Sequence, residues 1–429
     1  MPACERQTLM QTPESAYDRR RLRQWLSGEA RAEGVSRRDM LRLFAAAGLA
    51  GAASVASPGT PAAAAGGTSP GIVKPLPEDL FTVRGTNAET RFASLAHTGY
   101  HTPNDRFFVR NHTATPVLSA ADWRLTVWGD GLERHRAVDF SLADLKTLPP
   151  VTHSAFVECA GNGRGYFTSQ QGQEVGGTAW TLGAIGVARW RGARLADVLR
   201  RAGLGRRAVD VLPRGLDDDY VTADGTNLGR VRRPLPLSKA LDDVLLAYEM
   251  NGAPLPPDHG HPVRLLVPSW IGIASIKWVG DIQVSARPLY SPWNTDFYRL
   301  FGDAHPAGGS APLTRQTIKS AWELDAGANL TAGVTHRLTG RSWSGAGGVV
   351  RVDVSTDGGS RWRAARLHDA PRRDGWVRWS TPWRPPSPGP FTLLARATDT
   401  TGRTQPDATV HNTQGYLFDA VVRHPVNAV

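Results

Sequence analysis

The chain has 429 residues, a net charge of +11, 41% hydrophobic residues and two cysteines. The positive balance invites a nucleic-acid reading that its distribution excludes. Nine arginines against six acids lie in the first 65 residues, and the rest are scattered, with no Lys/Arg tract and no basic stripe interleaved with aromatics. Cys4 and Cys159 give no disulfide framework, while a basic pocket for a small anion stays open.

Residues 1–65 read as an address. Ser36-Arg37-Arg38-Asp39-Met40-Leu41 supplies a twin-arginine pair, an Ala/Gly-rich apolar run follows, and small residues near Ala65 mark a cleavage site. The run is shorter than the roughly 20 residues a membrane span needs. Export by the twin-arginine route is expected, to a periplasmic or other extracytoplasmic place, as a soluble or loosely membrane-associated protein. Cleavage would remove Cys4 and leave Cys159 alone.

The remaining length fits two domains. Residues 122–130 alternate as a strand, residues 195–204 have helical spacing with a Gly stop, and residues 262–269 form an apolar strand bounded by prolines. Strands and short helices alternate irregularly, so an α+β domain over residues 80–300 fits better than a doubly wound sheet. Residues 302–316 are rich in Gly, Pro, Ala and Ser and read as a linker. Beyond them Val350, Val352 and Val354 alternate, "TDGG" turns, and a second alternating strand with Trp362 follows. Residues 389–402 repeat the theme. Short strands without helices predict an all-β immunoglobulin-like sandwich over residues 316–425.

In the first domain, cations lie in apolar or glycine-rich settings: Arg110 and His112, then Arg164 near Cys159 and Asn162, then His259 and Arg264, then Lys277. Such cations are costly to bury unpaired, and the acids near them are few, Asp217 to Asp219 and Asp258. The pattern points to a bound polyanion, such as a phosphate-bearing cofactor. Cys159 sits in cationic surroundings that favour thiolate. An inert thiol, an intermolecular bridge, a nucleophile and a metal ligand are all open to it. Beside such a cofactor the last fits better than a hydrolytic nucleophile, and zinc lacks a second cysteine and ligand spacing.

The segments "FFVRNH", "ECAGNGR", "GTAW", "VLLAYEMNGAPLPPDHGHPVRLLVP" and "IKWVGDI" resemble, in this order, the molybdenum domain of the sulfite oxidase family. "RVDVSTDGGSRW" resembles that family's immunoglobulin-like dimerisation domain, and the match runs over about residues 80–425. The resemblance implies a molybdenum–molybdopterin cofactor with Cys159 as the protein thiolate on the metal. Phe107, Phe108, Val109, Arg110, Asn111 and His112 would line the cofactor, as would Asp217, His259 and Arg264, and the run Ser275, Ile276 and Lys277. Arg110, Arg164 and Trp180 match the substrate-anion pocket, and Tyr298 the active-site tyrosine.

The implied activity is oxidation of sulfite to sulfate by oxygen-atom transfer. With no Cys-x-x-Cys-His and no haem domain in the chain, electrons are expected to pass to an external acceptor such as a c-type cytochrome. A homodimer is implied by the second domain. In "HNTQGYLF", Gln414 stands where the family's animal members have a further substrate arginine. A sulfane dehydrogenase subunit or a reductase of another oxyanion on the same scaffold is therefore the alternative; a metal-free anion-binding protein is the alternative of a different class.

Overall fold

The computed structural model describes residues 71–429; the twin-arginine segment and Cys4 lie outside the described residues. Strand Pro150–Glu158 starts at the surface and ends with four buried residues, so it delivers the next residue, Cys159, to the interior. It pairs along its whole length with Ile185–Arg194, from Pro150 opposite Ala193 to Glu158 opposite Ile185. Leu245–Met250 follows, flanked by Ala253–Pro254, and Arg264–Leu266 also pairs with it, completing an antiparallel sheet.

A second sheet runs in the order Val138–Ser141, Arg124–Trp128, Val279–Ser285, Asp210–Gly215, Leu235–Pro236. Its single parallel pairing joins Arg124–Trp128 to Val279–Ser285, strands far apart in sequence. Helix Leu195–Arg201 forms where the apolar spacing predicts one, and it buries Leu195, Val198 and Leu199 in the main core. The strand expected over 262–269 shrinks to Arg264–Leu266, because Pro262 and Pro268 supply no backbone donors at its ends. The fold is α+β, as the irregular alternation predicts.

From Lys319 onward the described residues contain strands and no helix. One sheet orders Lys319–Trp322, His336–Trp343, Trp376–Trp383 and Arg366–Leu367. The facing sheet orders Ala328–Leu330, His424–Ala428, Gly389–Asp399, Val349–Ser355 and Arg363–Ala364. Val352, Val354, Val377, Trp379 and Leu393 pack in the core between them. The second strand expected around Trp362 is divided between the two sheets. Arg363–Ala364 pairs with Val349–Ser355, whereas Arg366–Leu367 pairs with Trp376–Trp383, so the chain changes sheets at Ala365. Trp362 precedes the crossing; its indole donates to the Gly359 carbonyl at 3.0 Å and lies under the Arg396 guanidinium.

The two domains share packing. Phe156, Phe167, Ile185 and Val187 form one cluster with Trp343, Trp376 and Phe418. Residues 302–316 lack helix or strand, as their composition predicts, yet they are tied down. Leu313 N–H donates to Tyr298 (2.8 Å), Ile271 N–H to Thr314 (2.7 Å) and Gln316 N–H to Ser269 (3.0 Å). A buried ion pair, Lys319 to Glu158 at 2.9 Å, fastens the sandwich to the residue before Cys159.

Candidate active site

At the inner end of Pro150–Glu158 the chain turns sharply. Cys159 N–H continues the ladder to Ala184 (2.9 Å), Asn162 N–H closes on the Cys159 carbonyl (3.0 Å), and helix Gly165–Gln171 follows. The Asn162 amide fixes the turn, donating to Glu158 Oε1 at 2.9 Å and accepting from Ala184 N–H at 3.0 Å. Cys159 thus reaches the wall of a cleft. The cleft gathers Phe107, Phe108, Arg110, Asn111 and His112 from one loop, with Asp217, His259, Arg264, Ser275, Ile276, Lys277 and Tyr298.

One side of the cleft is cationic and short of carboxylates. Arg264 is 3% exposed, and its hydrogen bonds go to the carbonyls of His259 (3.1 Å), Ser275 (3.0 Å) and Leu265 (3.4 Å). Burial alone drives its pKa down to about 9. Lys277 donates to Asn111 Oδ1 and the Asp258 carbonyl, and burial followed by the nearby Arg264 pushes its pKa far down. His259 is held neutral by burial and by Lys74, and its Nε2 has no partner in the structure. An anion here would favour the charged form of both Arg264 and Lys277, because it would offset the burial that lowers the pKa of each and the repulsion of Lys277 by Arg264.

Asp258 is the nearest buried acid, but it is already occupied, accepting from Val73 N–H (3.0 Å), Lys74 N–H (2.8 Å) and the Thr115 hydroxyl (2.6 Å). Asp217 keeps one oxygen unpaired, and burial raises its pKa to about 6. Its folded pKa therefore exceeds the unfolded one, so its contribution to stability is complete below about pH 4 and is lost as pH rises through 6. In cofactor-free protein this loss is worth about 3 kcal/mol, and Asp217→Asn is expected to remove it, as urea unfolding from pH 4 to 7 would read out.

The opposite side carries Arg110 and Tyr298. Burial disfavours the Arg110 charge, the ionisable side chains of Tyr298 and Cys159 beside it act the other way in their anionic forms, and the net direction is upward. Tyr298 has a left-handed backbone (φ 57°), and its phenol is pushed well above its ordinary value by burial and then by Tyr416. His112 is neutral because of burial, with Arg110 and Lys277 adding to the effect. Its Nε2 accepts from Trp293 Nε1 at 3.2 Å, which leaves the proton on Nδ1.

Three expected residues sit outside the cleft wall. Val109 faces a separate cluster with Ala88 and Phe81, and its backbone is paired with Ala88. Trp180 is fully buried beside Phe107, Phe108 and Cys159, with its indole N–H unpaired. Arg164 lies against the Tyr416 ring, donating from Nε to the Gln414 carbonyl (2.9 Å) and from Nη1 to the Thr178 carbonyl (3.2 Å). Among the described residues its Nη2 makes no hydrogen bond, so that edge is free for an anion.

Glycines clear the space for Arg164. A Cβ on Gly161 would stand 2.7 Å from its guanidinium carbon, one on Gly177 2.6 Å from Nη1, and one on Gly415 2.7 Å from Cγ. The obstructed group at Gly161 is the tip of a flexible side chain, so Gly161→Ala should change stability by under about 1 kcal/mol while displacing the guanidinium. Anion affinity is then expected to fall about tenfold, with the melting temperature preserved; calorimetric titration with sulfate checks both.

Sequence reasoning missed Tyr416, Lys74 and the Glu158–Lys319 pair. Tyr416 stacks on Tyr298 with centroids 5.0 Å apart and planes 13° apart. Lys74 donates to the Phe107 carbonyl, and burial lowers its pKa to about 7. An apolar-flanked lysine signalled neither contact, because both partners are backbone or distant in sequence.

Among the described residues no three His, Cys, Asp or Glu side chains converge to hold a metal ion. A metal at Cys159 would take its other ligands from a bound group. The buried Arg264 and Lys277, neither hydrogen-bonded to a carboxylate, with the orphaned His259 Nε2 and Asp217 Oδ1, fit a phosphate-bearing organic cofactor that offers both acceptors and donors.

This is the wall chemistry of a molybdopterin-binding domain. Residues 112–293 match the oxidoreductase molybdopterin binding domain, and residues 322–428 the Mo-co oxidoreductase dimerisation domain. The chain is 36% identical over 356 residues to sulfite oxidase of Gallus gallus, covering 78% of this chain and 74% of that protein. It is 38% identical over 342 residues to mitochondrial sulfite oxidase of Homo sapiens, covering 75% of this chain and 60% of that protein. The fold also matches the sulfane dehydrogenase SoxCD of Paracoccus pantotrophus, with a TM-score of 0.66, 27% identity, and coverage of 80% of this chain and 86% of that one. The chain belongs to the sulfite oxidase family of molybdopterin oxidoreductases. It spans about three fifths of the length of the mitochondrial relatives it matches.

Proposed function

We propose that the protein oxidises sulfite to sulfate at a molybdopterin centre held through Cys159, and passes the electrons to a separate acceptor such as a c-type cytochrome. The observation that carries this reading is the convergence of the Cys159 thiol, Arg110 and Tyr298 on one cleft whose other side holds Lys277 and Arg264, the latter hydrogen-bonded to carbonyls and to no carboxylate. When bound, the cofactor supplies the oxygen atom and accepts two electrons. Arg264, Lys277, His259 and Asp217 are the residues that would hold it, with Ser275, Ile276, Asn111 and the ring of Phe107 completing the walls.

The chain's own contribution is charge and geometry. Arg110 and the free edge of Arg164 supply positive potential for an oxyanion. Tyr298, neutral at any physiological pH, donates a hydrogen bond without competing for a proton. The Tyr298 backbone strain is held by Leu313 N–H, which donates to its carbonyl at 2.8 Å. The family description of the second domain supports a homodimer, and the twin-arginine segment supports export.

Gln414 supports a second reading, a sulfane dehydrogenase subunit. Its Nε2 is spent on the Asp296 carbonyl at 3.0 Å, so it adds no charge to the site, and the likeness to SoxCD points the same way. A substrate panel read by ferricyanide reduction separates the two: sulfite turnover at saturable, micromolar-range KM is expected, whereas turnover only with a sulfane donor would replace sulfite as the substrate.

A further inference from the structure

The second domain reaches into the site through one loop. Leu417 N–H donates at 2.9 Å to the carbonyl of Ala160, the residue after Cys159, and the Gln414 carbonyl accepts from Arg164. Between these two anchors lies Tyr416, fixed by one side chain on both its backbone groups: its N–H donates to Asn412 Oδ1 (2.8 Å), and Asn412 Nδ2 donates to its carbonyl (2.9 Å). The buried ring stacks on Tyr298, and the Arg164 guanidinium carbon lies 5.2 Å from its centroid. Tyr416, like Arg164, is not part of the cleft wall.

Arg164 needs such a support. Gly161, Gly177 and Gly415 pack closely against it but present no side chain to grip it, and among the described residues its hydrogen bonds are made by Nε and Nη1. An arginine held by two carbonyls can still swing its free edge; a ring against the guanidinium restricts that motion and adds a cation–π contact. The same ring stacks on the Tyr298 phenol.

We propose that Tyr416 is a positioning residue for oxyanion binding: its ring holds the Arg164 guanidinium and the Tyr298 phenol in register, so that the second domain sets the affinity of a site built in the first. The proposal rests on the oxyanion reading given above.

The test uses full-length, metal-loaded protein and two readouts, steady-state sulfite oxidation and calorimetric titration with sulfate, a non-reacting anion. Tyr416→Phe keeps both ring contacts and is expected to hold KM and the sulfate dissociation constant within about twofold of wild type. Tyr416→Leu removes them. KM and the sulfate constant should then rise together by about tenfold or more, with kcat at saturating sulfite falling by less than about threefold. If the leucine variant does not fold, Tyr416→Met, closer in volume, is read in the same way. Wild-type KM and sulfate affinity in either aliphatic variant would overturn the proposal, as would a phenylalanine variant as impaired as the leucine one. Wild-type protein that neither binds sulfate nor turns over sulfite would instead remove the oxyanion reading, and the proposal with it.

Discussion

Cys159→Ser protein, matched to wild type in molybdenum content, is expected to reduce ferricyanide with sulfite at under about one hundredth of the wild-type rate. The fold gives the substitution no reason to perturb structure. Oγ replaces Sγ with little change of volume, and the Cys159 backbone remains fixed by Ala184 and Asn162. The melting temperature should stay within about 2 °C. What changes is the donor: a serine hydroxyl stays protonated at neutral pH and is a hard ligand, whereas a thiolate is soft and strongly donating. The described residues offer no second cysteine to compensate. Retention of most activity in a protein with full metal content would show that Cys159 is a buried bystander.

The second large effect concerns stability. Lys319→Met leaves the Glu158 carboxylate buried without its cation, and a loss of about 3–5 kcal/mol is expected, read as a fall of roughly 5 °C in melting temperature. Glu158 is fully buried; burial pushes its carboxyl up, while Lys319, Asn162 and Trp343 pull it down. Trp343 Nε1 donates to Oε2 at 3.0 Å, and Lys319 pairs with Oε1. Lys319 and Trp343 both belong to the sandwich, so the pair links the two domains at the residue before Cys159. Glu158→Gln combined with Lys319→Met removes both charges and should recover more than half of the loss, since the uncompensated ion dominates the cost. A double variant as unstable as the single one would assign the effect to packing around the lysine stem.

Alternation exposed the sandwich strands, because Val352 and Val354 bury one face and Arg351 and Asp353 stay outside it. Val350, however, is exposed and Val349 buried instead, since the pairing shifts register between Val349 and Arg351. The cationic wall was legible for a different reason: Arg264 and Lys277 interrupt apolar runs where a charge needs a counter-charge. The contacts joining distant segments were not legible. Arg164 meets Gln414 across 250 positions, and nothing local to "NTQGYLF" announces that Tyr416 will stack on Tyr298. Gly and Pro in residues 302–316 signalled a tether, but composition is blind to the backbone bonds that Leu313 and Gln316 make with the first domain. Trp180 came through the motif "GTAW" alone, and its place behind the cleft wall depends on packing against Phe107 and Phe108. The division of the strand near Trp362 between two sheets has the same origin, since local alternation carries no information about which neighbour a strand pairs with.

The measurement that tests the central claim most directly needs no electron acceptor. Oxidised, metal-loaded protein is mixed anaerobically with an excess of sulfite, and the sulfate formed is quantified against bound molybdenum. The account predicts sulfate in an amount equal to the metal, and none from Cys159→Ser. Fully loaded wild-type protein that forms no sulfate would contradict it.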